Sequence, residues 1–368
     1  MVKVKIIVVK KVMSDDAIGK KEGDFIDEKF IKTIAKQSCD VYRIDDNGSK
    51  ILLAKYRKNV IPKNKIEIGF KGFAKLTKPS RGRGPSAGPI NANSKYWKKR
   101  NVSKCQSKWM TYQVLSNGEK SKMQVSNPVI STPLGFTESN GLGNLPCRLT
   151  HFTRTNYDSY KCGLPFIDEV DKCFKELIPD AHKKQRCQAN KRKDLQIKNT
   201  AFSTITVNRN FRTAMHKDNG DFKQGFGNLS VIERGKYSGG YTVFPQYGIG
   251  FDVRNGDFLA MDVHEWHANT SLFETKEQKE YNNKMEDIFK DNPDIGTAGT
   301  SFKFTRLTFV CYLRENIIHC SNTIDPQYLT GGDHNKIIPK KKYENIKPMK
   351  KAVSSRRKTQ KSTKLKKT

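Results

Sequence analysis

Thr213-Ala214-Met215-His216-Lys217-Asp218, then Asp262-Val263-His264-Glu265-Trp266-His267-Ala268-Asn269, then Phe304-Thr305-Arg306-Leu307-Thr308-Phe309-Val310 are the stretches on which the reading turns. All three lie between Ala201 and Arg314, where the pattern is one of short strands. Strands are predicted near Ser203–Arg209, Leu229–Glu233, Tyr241–Phe244, Gly250–Val253, Phe258–Val263 and Phe302–Leu313. Glycines at 225, 227, 235, 239, 240, 248, 250 and 256 mark the turns between them. Many short strands with frequent turns predict an antiparallel barrel or jelly roll. The polar stretch Glu274–Thr300 reads as an insertion before the last strand.

The residue types in the three stretches share one chemistry. Two imidazoles and one carboxylate occupy one face of an octahedral Fe(II) and leave three positions open. A keto acid fills two of these and dioxygen the third. His216 and Asp218 are two apart, so on a strand their side chains point the same way. A third ligand must come from a distant strand, which a barrel delivers. His264 and His267 are the candidates. Arg306 sits on an otherwise apolar or hydroxylic strand. A guanidinium there pairs with the far carboxylate of a keto acid through two parallel hydrogen bonds. Thr308, two residues on, faces the same way and offers a hydroxyl. Each piece alone is common; a lone His is more often packed than ligating, and an Arg in a strand often only guards an edge. The ordered set is what points to a site.

Outside this region the signals are coarser. Apolar residues at Phe166/Ile167, Val170, Cys173/Phe174 and Leu177/Ile178 predict a helix over Phe166–Arg186, started by Leu164-Pro165 and broken or kinked by Pro179. That stripe reads as core packing. Val2-Lys3-Val4-Lys5-Ile6 alternates with the strand period, its lysines suited to a sheet edge. Arg81–Pro89, Arg-Gly-Arg-Gly-Pro-Ser-Ala-Gly-Pro, is a loop. Arg81 and Arg83 there have little neighbouring bulk, so phosphate can approach; an ordinary basic turn reads equally well. Residues 336–368 hold 14 Lys/Arg against the single acid Glu344 and almost nothing apolar after Ile346. This tail is expected to be disordered, a nucleic-acid arm or a nuclear-import signal around Ser355-Arg356-Arg357-Lys358.

Composition agrees. The chain has 368 residues, with 69 Lys+Arg against 37 Asp+Glu, a net charge of +32. Its 10 % aromatic content is enough to build a core, which excludes full disorder. So large a positive excess favours a polyanionic partner, nucleic acid first. No run approaches the ~18 apolar residues of a membrane span, and Ile6–Val9 is too short for a signal-peptide core. A soluble, intracellular protein without a membrane partner is expected. The eight cysteines are scattered with no Cys-x-x-Cys pair, and are read as free thiols. Nothing in the sequence sets an oligomeric state.

Seven stretches carry a resemblance: MHKD, FGNLSVIERGKYSGGYTVFP, GDFLAMDVHEWHANT, TRLTFVCYLRE and, upstream, GRGPSAGP, CRLTHFT and LPFIDEV. Together they resemble the ten-eleven-translocation/J-binding-protein (TET/JBP) family of Fe(II)- and 2-oxoglutarate-dependent nucleobase dioxygenases, in particular its algal and viral members. The resemblance covers roughly residues 80–320. It implies an α+β fold, a double-stranded β-helix (jelly-roll) core flanked by helices. The alternating N-terminal pattern sets residues 1–75 apart as a strand-rich extension, and the resemblance implies a dioxygenase domain over 76–325, with the β-helix core at 201–316 and the insertion at 274–300. It implies Fe(II), 2-oxoglutarate and O2, and the oxidation of a 5-methyl group on 5-methylcytosine or thymine flipped out of DNA. Residue by residue, it makes His216, Asp218 and His267 the iron ligands, with His264 the rival to His267. It gives Arg306 and Thr308 to 2-oxoglutarate. It places Tyr312 beside the target base, Asp221 at its pairing edge and a backbone contact at Ala201. The spacing from His267 to Arg306 is longer than the family's, because Glu274–Thr300 intervenes, which leaves another reductant in place of 2-oxoglutarate open. Two other readings use the same residues: a protein hydroxylase with the same iron site, and a non-catalytic nucleic-acid-binding protein.

Overall fold

The computed structural model describes residues 4–98, 107–138, 147–285 and 302–320. The basic tail at 336–368 and the later part of the insertion lie outside the described residues.

The strands are β1 (Lys5–Val9), β2 (Thr33–Ala35), β3 (Cys39–Ile44), β4 (Lys50–Arg57), β5 (Pro79–Ser80), β6 (Thr111–Val114), β7 (Lys120–Val125), β8 (Val129–Thr137), β9 (Arg148–Leu149), β10 (Thr204–Arg209), β11 (Gly227–Arg234), β12 (Ser238–Gly239), β13 (Thr242–Phe244), β14 (Ile249–Phe251), β15 (Phe258–Met261), β16 (Ala268–Asn269), β17 (Leu272–Phe273) and β18 (Thr305–Tyr312). A large sheet runs β1-β3-β4-β15-β11-β18-β10-β8-β5, with β9 beside β8. A smaller sheet runs β16-β13-β14-β2. After β10 the chain crosses to the smaller sheet, where His216 bridges His267, and returns in β11. It crosses again for β13 and β14, returns in β15, crosses for β16 and returns in β18. That alternation is the winding of a double-stranded β-helix, the jelly roll expected from the turn-rich pattern. All six predicted strands are present, some shortened at their ends.

The first 75 residues are built into both sheets. β4 pairs with β15, so β1, β3 and β4 widen the large sheet, and β2 pairs in parallel with β14. β1 is at the edge of the large sheet but spans Lys5–Val9, so it shares only Lys5 and Ile6 with the expected stretch, of which Val2 and Lys3 lie outside the described residues.

Two helices cover the outer face of the large sheet. Lys63–Phe73 and Tyr157–Leu177 bury Phe73, Phe166, Val170 and Phe174 against Val207, Leu307 and Phe309. The two helices approach so closely that a Cβ on Gly72 would lie 2.5 Å from the Gly163 backbone, so both positions demand glycine. The predicted helix at Phe166–Arg186 is here corrected. Helix Tyr157–Leu177 begins earlier and runs through Pro165, and Pro179 opens a second helix, Pro179–Ala189. Pro165 loses one backbone bond, but the buried stripe continues on both sides of it, from Tyr160 to Phe174, and burial outweighs the defect. At Pro179 the missing N–H costs nothing, because the first turn of a helix has no partner for it.

The cysteines need a second correction. Cys147 and Cys320 form a disulfide with Cα atoms 6.2 Å apart. A separation of 173 residues hides this pair from any spacing rule. Cys39, Cys162, Cys173, Cys187 and Cys311 are free. Among the described residues no helix is long and apolar enough to cross a membrane.

Candidate metal centre and substrate pocket

The sequence places His216 and His267 fifty residues apart, and the fold joins them by their backbones. The N–H of each donates to the carbonyl of the other, both at 3.0 Å. The Asp218 N–H donates to the Val263 carbonyl at 3.0 Å, so the same ladder carries all three residues. Asp218 Oδ1 lies 3.7 Å from His216 Nε2, and Oδ2 lies 3.6 Å from His267 Nε2. One ligand atom from each of the three falls within 4.8 Å of the others.

Neighbouring carbonyls set the tautomers. His216 Nδ1 is 2.7 Å from the Ala214 carbonyl, and His267 Nδ1 is 2.9 Å from the Glu265 carbonyl. A carbonyl only accepts, so each Nδ1 carries a proton and each Nε2 is turned toward Asp218; burial alone would lower the His267 imidazole, but the hydrogen bond and charge of Asp218 raise it. Burial, reinforced by the His267 charge, pushes the His216 imidazole down to about 4, so it is neutral near pH 7. Burial alone would raise the Asp218 carboxyl. The two imidazoles and Arg83 overcome it and hold that carboxyl below the usual carboxylate range. Two imidazole nitrogens and an ionised carboxylate fit Fe(II) well. His264 is not part of the group. Its Nε2 is 3.3 Å from the Phe222 carbonyl, and its N–H donates to Asp262.

The trio opens on a cavity of about 260 Å³ that Arg83, Asp221, Thr308 and Tyr312 also line. Strand alternation builds its wall: Thr308, Val310 and Tyr312 of β18, with Thr206 and Asn208 of β10, face the cavity. Arg306, on the same face of β18, is 2 % exposed. Its Nη1 donates to Thr308 Oγ1 at 2.5 Å and its Nε to the Tyr237 hydroxyl at 3.1 Å. The Tyr237 hydroxyl donates to Glu233, and Arg254 lies over the Tyr237 ring at 4.4 Å. Arg306 Nη2 is buried with no partner. A buried guanidinium N–H left open, next to a hydroxyl that lines the cavity, is what the carboxylate of a keto acid would complete.

Of the residues expected at the base, the structure brings Asp221 and Tyr312 to the cavity. Burial drives the Asp221 carboxyl well above the usual range, helped by the Asp218 charge and opposed by Arg314 and Arg83. The Tyr312 hydroxyl is 3.2 Å from Thr206 Oγ1. Ala201 is not brought there, which corrects that expectation. It is fully buried, its N–H donates to Asp171 Oδ1 at 2.7 Å, and its carbonyl accepts from Gln185 Nε2 at 2.9 Å. Both backbone groups of Ala201 therefore tie the start of β10 to the covering helices. The two loop arginines part company: Arg81 is exposed and reaches Gln113, while Arg83 lines the cavity. The described part of the insertion does not line it. Helix Lys276–Asn283 packs on the turn after β11, where Asn282 bonds both backbone groups of Lys236.

Sequence reasoning missed Tyr237, which has no signal beyond its place between Gly235 and Gly239. It also missed Arg314, at the cavity wall, which Glu138 holds by two hydrogen bonds.

Comparison with known proteins agrees with this geometry. Residues 134–315 match the Tet_JBP family, described as the oxygenase domain of the 2OGFeDO superfamily. Thymine dioxygenase JBP1 of Trypanosoma brucei brucei is 39 % identical over 152 residues, 41 % of this chain and 18 % of that protein. The bifunctional helicase and thymine dioxygenase JBP2 of Leishmania major is 34 % identical over 172 residues, 47 % of this chain and 13 % of that protein. The chain thus spans less than a fifth of the length of either relative. The solved structure of NgTET1 in complex with 5mC DNA aligns with a TM-score of 0.45 at 11 % identity, over 87 % of this chain and 85 % of that one. The trio and the open guanidinium both fall within residues 134–315, the stretch of this chain that is similar to the oxygenase domain of the TET/JBP family of Fe(II)/2-oxoglutarate oxygenases.

Proposed function

We propose that the protein hydroxylates the 5-methyl group of a pyrimidine flipped out of DNA, using Fe(II), 2-oxoglutarate and O2. The observation that carries this is the trio of neutral His216, ionised Asp218 and His267 at a cavity lined by Thr308, whose hydroxyl accepts from the buried Arg306, itself left with one N–H unsatisfied.

His216 Nε2, Asp218 and His267 Nε2 would hold the iron. Arg306 and Thr308 would hold the far carboxylate of 2-oxoglutarate, with Tyr237 and Glu233 fixing the guanidinium. Bound together, iron and 2-oxoglutarate supply the oxidant that inserts one oxygen of O2 into the methyl C–H bond, while the keto acid leaves as succinate and CO2. A methyl group stacked within a duplex is out of reach of such a site, so the base must be extruded into the cavity. Tyr312 gives it an aromatic surface, and Asp221 lies where a base N–H can be bonded. Whether ionised or, as burial favours, protonated, the carboxyl accepts through a C–O oxygen equally from the amine of 5-methylcytosine and the ring N–H of thymine; the names of the two curated relatives favour thymine. The positive surface grips the phosphates, so binding should weaken steeply with salt. Its action is then on DNA within the cell, and the basic run at Ser355–Lys358 supports a nuclear location.

The test is incubation with Fe(II), 2-oxoglutarate, O2 and DNA carrying thymine or 5-methylcytosine, followed by nucleoside mass spectrometry. The expected product is the 5-hydroxymethyl base with matching succinate. Absence of an oxidised base with both substrates overturns the reading; succinate release driven by peptides but not by DNA replaces it with protein hydroxylation.

A further inference from the structure

The cavity has two arginines away from the Arg306 end, and they differ in one respect. Arg314 is committed: Glu138 takes both its Nε and an Nη. Arg83 is not. Its Nε is buried and has no hydrogen-bond partner. Arg83 lines the same cavity as the trio and the two residues assigned to the base, Asp221 and Tyr312.

The backbone holds Arg83 firmly. Ser86 Oγ donates to the Arg83 carbonyl at 2.8 Å, closing the short turn Gly84–Ala87. The Ala214 N–H donates to the Ser86 carbonyl at 2.9 Å, two residues before His216. Gly84 has φ +55°, a left-handed conformation that any other residue would adopt only at a cost. The loop is therefore stapled to the segment that carries the first two members of the trio, and Arg83 keeps its position relative to them.

A donor held in place with no acceptor needs one from the ligand. Building on the function proposed above, the ring geometry says which. In a pyrimidine, C5 and C2 lie across the ring from each other. A base with its methyl group toward the trio presents the C2 carbonyl at the opposite side of the ring, toward other polar groups of the cavity lining, among them the partly exposed Arg83. We propose that Arg83 is a specificity-determining residue that donates to the O2 carbonyl of the flipped 5-methylpyrimidine, while Asp221 bonds a base N–H, so that the pair recognises the carbonyl–amide edge and Arg83 makes no phosphate contact. Both thymine and 5-methylcytosine carry O2, so Arg83 selects for pyrimidines without choosing between these two.

The test replaces O2 with sulfur, a poorer acceptor, in the target base. Wild-type protein and Arg83→Ala are compared on duplexes carrying the natural base or its 2-thio analogue. Equilibrium binding is measured without oxygen in the presence of Mn(II) and 2-oxoglutarate, and turnover is measured with Fe(II) and air. Wild type should bind and oxidise the 2-thio base several-fold less well than the natural one. Arg83→Ala should lose about 10- to 100-fold on the natural base, the range for a hydrogen bond from a charged donor, and should no longer distinguish oxygen from sulfur. Its affinity for 2-oxoglutarate and the salt dependence of its DNA binding should match wild type. Arg81→Ala serves as the contrast and should change only the salt dependence, by about one phosphate contact. Arg83→Gln, which retains neutral donors at similar volume, should recover part of the discrimination and guards against misfolding of the alanine variant. Retention of wild-type sulfur sensitivity in Arg83→Ala overturns the inference, as does a loss confined to the salt slope or to 2-oxoglutarate affinity. Should wild type yield no oxidised base, Arg83-dependent discrimination in binding would sink the oxygenase reading alone; product formed without Arg83 dependence would sink only the inference.

Discussion

The two faces of β18 make an instructive pair. Leu307, Phe309 and Cys311 face the covering helices, and Phe309 lies 4.8 Å from the Phe166 ring and 5.5 Å from that of Phe73. Arg306, Thr308 and Tyr312 face the other way, into polar partners and the cavity. The first face is closed, with every contact made inside the molecule. The second is deliberately incomplete, since Arg306 keeps a buried N–H without a partner. Stability and ligand recognition are thus divided between odd and even positions of one strand, and each can be altered with limited effect on the other.

Three substitutions press on that division. The largest effect is expected from Asp218→Ala, opposite the β18 cavity face. Titration should find Mn(II) and Fe(II) binding abolished and base oxidation at background, with a melting temperature somewhat below wild type near pH 7, because the imidazoles and Arg83 favour the ionised carboxylate in the folded state. Next is Phe309→Ala, on the closed face. Denaturant unfolding should show a loss of about 3–5 kcal/mol, while the folded fraction still binds 2-oxoglutarate with near wild-type affinity. A large fall in that affinity would mean the two faces are coupled through the strand. The smallest is Tyr237→Phe. It removes the hydroxyl that accepts from Arg306 and donates to Glu233. Isothermal titration should show 2-oxoglutarate binding weakened about 3- to 10-fold, one hydrogen bond's worth, with metal affinity unchanged. An unchanged keto-acid affinity would detach Arg306 from that ligand.

The same contrast explains what could be read before the fold was known. Period-two alternation put Arg306 and Thr308 on one face and His216 and Asp218 on another, because strand geometry is local. Choosing His267 over His264 rested on family resemblance, and the physical reason emerges only in three dimensions: His267 is the residue whose backbone pairs with His216. Loops and long-range ties were out of reach. Arg81 and Arg83 are alike in sequence, yet one reaches Gln113 and the other the cavity. Ala201 stands three residues before β10 and spends its backbone on Asp171 and Gln185. Cys147 and Cys320 meet only because the residues that lead into β9 and those that follow β18 converge. Pro165 misled because a helix breaker was weighed without the burial that overrides it.

The reciprocal pairing of His216 and His267 has a consequence for how the empty protein behaves. Two amide protons guard each other, so neither can exchange with solvent until both do, and the opening that releases them separates the imidazoles as well. Deuterium uptake at these two positions therefore times the lifetime of the assembled chelate before any cation arrives. Slow, matched uptake would mean that the apoprotein meets its ion with the ordering entropy already spent.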